Sequence, residues 1–173
     1  MAEENKGFEG LPAKELLKRF HSLQGERVET YGLFEEGFQA YLNGAPNYNF
    51  PMYKQLVHEI TQTFSKISQD IILITNQLED NHNLTSIASI VTGIQNNEKE
   101  KLEKTVKLQL ARQNATDNPE DSSFKEEEID LKQRYRYCSV KCFTFLLASA
   151  SEITLYFKWQ RQCTGLSCQR SLV

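Results

Sequence analysis

From Tyr53 to Leu78 the apolar residues fall at Tyr53, Val57, Ile60, Phe64, Ile67, Ile71, Ile74 and Leu78, in unbroken steps of four and three. That spacing keeps one narrow stripe on one side of a helix. The stripe is about 39 Å long at a rise of ~1.5 Å per residue. Water covers such a seam only at high free-energy cost, so long helices of this chain or of a second chain must meet it. Upstream, Leu16, Phe20, Leu23, Arg27, Tyr31, Phe34, Phe38 and Tyr41 or Leu42 share one side of a helix that starts at Pro12 and stops at Asn43-Gly44-Ala45-Pro46. Gly25, Gly32 and Gly37 weaken this helix by about 1 kcal/mol each relative to Ala, and mark close helix crossings or a break. The expected packing seam therefore comprises Phe20, Tyr31, Phe34 and Phe38 with the eight residues from Tyr53 to Leu78.

Asn49 is placed to cap the second helix, which runs to about Glu79, and Asp80-Asn81-His82-Asn83 reads as a short polar turn. A third helix uses Leu84, Ile87, Val91, Ile94, Leu102, Thr105, Leu108 and Ala111, with Glu98 to Lys104 as a charged, salt-bridge-laced middle. Connections this short force antiparallel neighbours. The predicted fold is all-α: an elongated antiparallel three-helix bundle over 12–113, preceded by a disordered N-terminus over 1–11. Asn114 to Ser123 (NATDNPEDSS) reads as a mobile linker, bounded at 114–124, and Phe124, Ile129, Leu131 and Tyr135 allow a short fourth helix, bounded at 125–137. After Tyr137 the chain turns to Cys, Ser, Thr and aromatics and loses its heptad spacing, which predicts an atypical, irregular tail over 138–173.

Charge shifts at the same boundary. Asp117 to Asp130 holds seven acidic residues against Lys125, and Lys132 to Val173 holds seven basic residues against Glu152. A translated alternative exon would produce such a switch. The whole chain of 173 residues carries a net charge of -3, which gives no global pull toward nucleic acid or anionic membrane. Its length suits one domain that buries roughly 70% of its unfolded surface, and 39% apolar with 25% charged residues fits a helical protein. The opening MAEENKGFEGLP has no apolar run, so it reads as neither a signal nor a transit peptide, and an intracellular location is expected. The sequons at Asn83 and Asn114 are then chance matches. Cys138 to Trp159 is long enough to span a membrane, but Lys141, Glu152, Lys158 and a serine-rich centre argue against it.

The four cysteines, Cys138-x3-Cys142 and Cys163-x4-Cys168, touch on four-thiolate zinc spacing. The first pair lacks the Cys-x2-Cys knuckle and no histidine lies in the tail, so free thiols are the preferred reading and no metal or cofactor is expected. His21, His58 and His82 fall in different elements and read as surface or flanking side chains. No nucleophile elbow, glycine-rich loop, HExxH or EF-hand pattern occurs, which predicts a protein that is not an enzyme. Basic residues on the first helix (Lys14, Lys18, Arg19, Arg27) and third helix (Lys99, Lys101, Lys104, Lys107, Arg112) are interleaved with glutamates. They read as solvated faces rather than a phosphate-binding stripe.

Leu16 to Leu42, with Phe20, Leu23, Gln24, Arg27, Tyr31, Phe34, Phe38 and Tyr41, resembles the "required for excision, B" domain family of DNA-repair proteins. So does Tyr53 to Ile71, with Tyr53, Glu59, Thr61, Phe64 and Ser68. The likeness continues through Leu84 to Gln109, including LEKTVKLQ, and covers roughly 13–132. The resemblance implies an association with excision repair and a nuclear location, with the cytoplasm as the other possibility; it carries no catalytic residue onto this chain. The family would continue a charged heptad helix where this chain turns to its tail. Taken together, the expectation is a non-enzymatic adaptor that works through contacts with protein partners, with self-association open. A coiled-coil subunit of a cytoskeletal or trafficking complex is the competing class.

Overall fold

The computed structural model describes residues 8–142 and 144, and over them the protein is all-α with four helices. These are α1 (Ala13–Leu42), α2 (Phe50–Asp80), α3 (Thr85–Asp117) and α4 (residues 122–142). Pro12 sits at the N-cap of α1, and the amides of Glu15 and Leu16 bond back to its carbonyl. α1 runs unbroken through its three glycines. A Cβ at Gly25 or Gly32 would meet nothing within 4 Å, whereas one at Gly37 would run into the Leu56 side chain of α2, so only Gly37 serves a close crossing. Asn49 caps α2: its side-chain oxygen accepts the Met52 amide at 3.2 Å, and Pro51 occupies the first turn, where no donor is lost. The turn into α3 places Asn83 at φ 52, in the left-handed region that asparagine tolerates.

α2 lies between its neighbours and packs against both α1 and α3, which meet each other only sparsely. Its hydrophobic stripe is divided between two clusters. Ile67, Ile71, Ile74 and Leu78 join Leu16, Leu17, Phe20 and Leu23 of α1 and Ile87, Val91 and Ile94 of α3 in the larger core. Ile60 and Phe64 join Phe34 in a smaller one, flanked by Tyr31, Tyr53, Leu56, Val57 and Leu102. Burial of the α2 side chains rather than intrinsic helix propensity is the main support for elements this long.

Several boundaries differ from the sequence reading. Phe8 and Leu11 pack against the larger core, and His82 reaches the Leu11 carbonyl at 2.9 Å, so the segment 8–11 is attached to the bundle instead of forming part of a disordered 1–11. α3 continues to Asp117 and α4 begins at 122, which leaves a short turn where a linker over 114–124 was expected. α4 is not confined to 125–137. It extends to 142 and buries Cys138 and Cys142, so the boundary at 138 is not a change from helix to irregular tail. A heptad spacing survives there: Phe124, Glu128, Leu131, Tyr135, Cys138 and Cys142 are buried or half-buried in steps of four and three, with Ser139 half-buried beside Cys138. The remainder of the expected tail lies outside the described residues. No helix among the described residues is long and apolar enough to cross a membrane.

Candidate functional site

Between the two apolar clusters lies a polar layer. The stripe of α3 is interrupted after Ile94, and the next inward positions are Asn97 and Glu98, both buried. α1 turns Gln24 and Arg27 toward the same level, and α2 contributes Ser68. The expected solvated, charged middle of the third helix is therefore corrected at Glu98, which is 7% exposed, and Arg27 at 3% exposed is withdrawn from any phosphate-binding surface. Arg27 donates to Ser68 Oγ at 3.3 Å, Gln95 donates to the Ser68 carbonyl at 3.4 Å, and the Tyr31 hydroxyl donates to the Glu98 carbonyl at 3.3 Å. Burial pulls the Arg27 guanidinium below its ordinary value, opposed by Glu98, and burial together with Glu98 pushes the Tyr31 hydroxyl far above its own.

A cavity of about 300 Å³ opens beside this layer between α2 and α3, lined by Arg27, Tyr31, Phe64, Ser68, Gln95 and Glu98, with Asn96 and Lys99 at its mouth. Arg27 Nη1, Gln95 Oε1 and Glu98 Oε2 have no protein partner. A polar space of this size admits water, which satisfies such groups. The hydroxyl in the layer faces a guanidinium, which is a donor only and cannot take its proton. The arrangement ties α3 in register with its neighbours, because a shift of α3 by one position would carry the Glu98 carboxylate out of the polar layer toward an apolar cluster at several kcal/mol.

The far end of the bundle is locked by aromatics. The Tyr41 ring stacks on Tyr53 at 4.4 Å and on Tyr48 at 4.8 Å. The Tyr53 hydroxyl donates to Gln109 Oε1 at 3.1 Å, the Gln113 amide donates to the Tyr41 hydroxyl at 3.2 Å, and Tyr48 donates to Asp117. Arg112 pairs with Glu35 at 2.7 Å while its guanidinium lies over the Phe38 ring at 5.1 Å.

Two grooves flank α3. One, between α2 and α3, is mainly apolar: Phe34 of α1 with Val57, Ile60, Phe64, Leu102 and Val106 line a space of about 300 Å³ to which Thr61, Ser65 and Ser68 also contribute. The other lies between α1, α3 and α4, with a volume of about 250 Å³. Tyr31 and Glu35 face it from α1, Leu108, Gln109 and Arg112 from α3, and Lys132, Tyr135 and Arg136 from α4.

Of the seam predicted from sequence, Phe20, Phe34, Phe38, Ile60, Phe64, Ile67, Ile71, Ile74 and Leu78 are buried, and Tyr31, Tyr53 and Val57 are half-buried. Cys138 and Cys142 are buried free thiols on the inner side of α4. Cys138 Sγ lies 3.9 Å from the Asn97 carbonyl, and burial, reinforced by Glu98, pushes the Cys142 thiol up to about 12. Cys163 and Cys168 lie outside the described residues, and among the described residues no three His, Cys, Asp or Glu side chains converge as a metal site would require. His21 and His58 are exposed. Among the basic residues weighed for nucleic acid, Lys18 pairs with Glu15, Arg19 with Glu26 and Lys104 with Glu100, and Lys101 lies 3.9 Å above the Tyr31 ring. The sequence reading missed Asn97, Glu98 and Gln109 as buried polar groups. It missed Lys132 and Arg136 as groove residues too, although their four-residue spacing around Tyr135 was visible.

The bundle has known relatives. The chain is 36% identical over 99 residues to a "Required for excision 1-B domain-containing protein" of Bos taurus, which is 57% of this chain and 55% of that protein. It is 28% identical over 109 residues to the Mus musculus protein of the same name, 63% of this chain and 64% of the relative. The aligned part thus spans less than two thirds of either relative. No solved structure matches. The family described as DNA repair REX1-B matches residues 15–112, from the first turn of α1 nearly to the end of α3, and includes Arg27, Ser68, Glu98 and Arg112. Since that match takes in more than half of the chain and all three helices around the polar layer, this protein belongs to the DNA repair REX1-B family.

Proposed function

We propose that this chain is a non-enzymatic helical adaptor of DNA excision repair, acting in the nucleus through protein–protein contacts. The observation that carries the reading is the apolar groove between α2 and α3. Its rim residue Val106 is 52% exposed, and Leu110, four residues on along α3, is 60% exposed. An amphipathic partner helix presents anchors at that spacing and would cover both. The family and the names of the relatives supply the repair context.

The test uses cells that lack the protein. Excision of bulky adducts, oxidised bases and uracil is measured with no chain, with the natural chain, and with Val106→Glu plus Leu110→Glu. Both positions are exposed, so the melting temperature of the double variant should match that of the parent. The expected result is slower excision of at least one lesion class, restored by the natural chain and not by the double variant. Full restoration by the double variant would refute the groove, unchanged excision without the chain would refute the repair role, and turnover of damaged oligonucleotides by the purified chain would refute the non-enzymatic reading.

A further inference from the structure

The groove between α1, α3 and α4 differs from the apolar one in chemistry. Three cations, Arg112, Lys132 and Arg136, converge on it against one carboxylate, Glu35, which Arg112 already engages at 2.7 Å. Lys132 and Arg136 form no ion pair among the described residues. At the floor, Gln109 is 4% exposed, and its amide nitrogen has no hydrogen-bond partner although its oxygen is held by Tyr53. A buried N–H left without an acceptor is a standing cost to the fold, which a ligand oxygen would recover. The unpaired donors of the groove, Lys132, Arg136 and the Gln109 amide, outnumber its one carboxylate, Glu35, whose Oε1 is taken by Arg112.

We infer that this groove recognises a single oxyanion, a phosphoryl group or a side-chain carboxylate, presented by a protein partner. The volume of about 250 Å³ lies just below the ~300–1,000 Å³ range of small-molecule sites, which suits a side chain rather than a cofactor. Guanidinium groups match a phosphoryl or carboxylate face with paired donors; Arg136 is unpaired among the described residues, and Arg112 is fixed over the Phe38 ring by its pair with Glu35. A nucleic-acid strand fits worse. Duplex DNA carries one charge per ~1.7 Å of axis, so it needs a cationic stripe. Here acidic residues interrupt any such stripe: Glu127, Glu128 and Asp130 precede Lys132 on α4, where Asp130 pairs with Arg134, and on α3 Glu100 pairs with Lys104 among Lys101, Glu103 and Lys107.

The inference rests on the adaptor reading for the nature of the partner, but its test uses only the purified full-length chain. The probes are inorganic phosphate and acetate, followed by amide NMR with the Gln109 side-chain amide and the backbone of 105–112 as reporters. Saturable shifts confined to those residues and to 131–137 are expected, stronger with phosphate if the group is phosphoryl and with acetate if it is carboxylate. Lys132→Glu with Arg136→Glu, two exposed positions that leave the melt unchanged, should weaken binding by about tenfold or more. A short phosphoserine peptide should bind more tightly than its unphosphorylated form under the phosphoryl arm, and an aspartate-rich peptide more tightly than its asparagine counterpart under the carboxylate arm. Shifts spread over all lysines, an unaltered response in the double variant, or a duplex oligonucleotide binding more tightly than either peptide would overturn the assignment. The excision assay with the Val106 and Leu110 variant is independent of these positions, so failure here leaves the adaptor reading standing, and its failure leaves the anion site measurable.

Discussion

Truncating Phe64 and Ile71 should rank opposite to their sizes. Phe64 is 7% exposed, its ring lies 4.7 Å from that of Tyr31, and it lines both spaces of about 300 Å³ between α2 and α3. Ile71, two turns along the same helix, is 0% exposed inside the larger apolar cluster. Phe→Ala in a core costs about 3–5 kcal/mol and Ile→Ala about 2–5, the spread reflecting how far the site stays empty. At Phe64 the space left is continuous with open grooves and takes in water, so its cost should fall at the low end, about 3 kcal/mol. At Ile71 the space is closed and dry, and the cost should approach the upper end, about 4 kcal/mol or more. For a chain of this length each kcal/mol lowers the melting point by about 2–4 °C, giving roughly 6–12 °C for Phe64→Ala and 8–16 °C for Ile71→Ala. Guanidinium titrations with calorimetry would give both values. The reasoning fails if Phe64→Ala costs under about 1 kcal/mol, or if it clearly exceeds Ile71→Ala, since either result would mean that the grooves do not border that ring.

Further outcomes follow from the same geometry. Ile67→Asp places an unpaired carboxylate in the larger cluster and should abolish cooperative melting; an unchanged melt would remove helix α2 from the core. Burial and Glu98 push the Cys142 thiol from 9.0 up to about 12, and burial, with Tyr41 and Glu35 adding to it, pushes Tyr53 from 10.0 up to about 12. The unfolded chain therefore releases these protons first, and the stability they contribute is whole below about pH 9 and is lost as pH rises toward 12. Urea midpoints should fall over that window, less steeply in Cys142→Ala with Tyr53→Phe; equal slopes would refute it. Elemental analysis of the full-length chain should find no bound zinc, with or without Cys138→Ser and Cys142→Ser, whereas one tightly held zinc per chain would reverse the thiol reading. Fluorescence anisotropy at about 50 mM salt should show no DNA binding below about 10 µM, and saturable binding lost on exchanging Lys101, Lys104 and Lys107 for glutamate would make α3 a nucleic-acid surface.

Sequence alone determined the helices whose inward positions are apolar. The stripes of α1 and α2 could be read because burial selects Leu, Ile and Phe at helical spacing, and the resemblance to the repair family could be read from the same segments. The tertiary structure decided where polar residues occupy inward positions. Glu98 opens a run of four consecutive charged residues, and only the approach of Arg27 and Ser68 from two other helices takes it out of solvent. α4 keeps a four-three spacing through Cys142, but Glu128, Tyr135, Cys138 and Cys142 carry no hydrophobic signal strong enough to announce it. The same holds for the cationic groove, whose three cations come from positions 112, 132 and 136 and face one another only because α4 folds back on α3. Apolar burial is a property of each residue and shows in one dimension, whereas a polar group is stable inside only with partners, and partners are chosen by the fold.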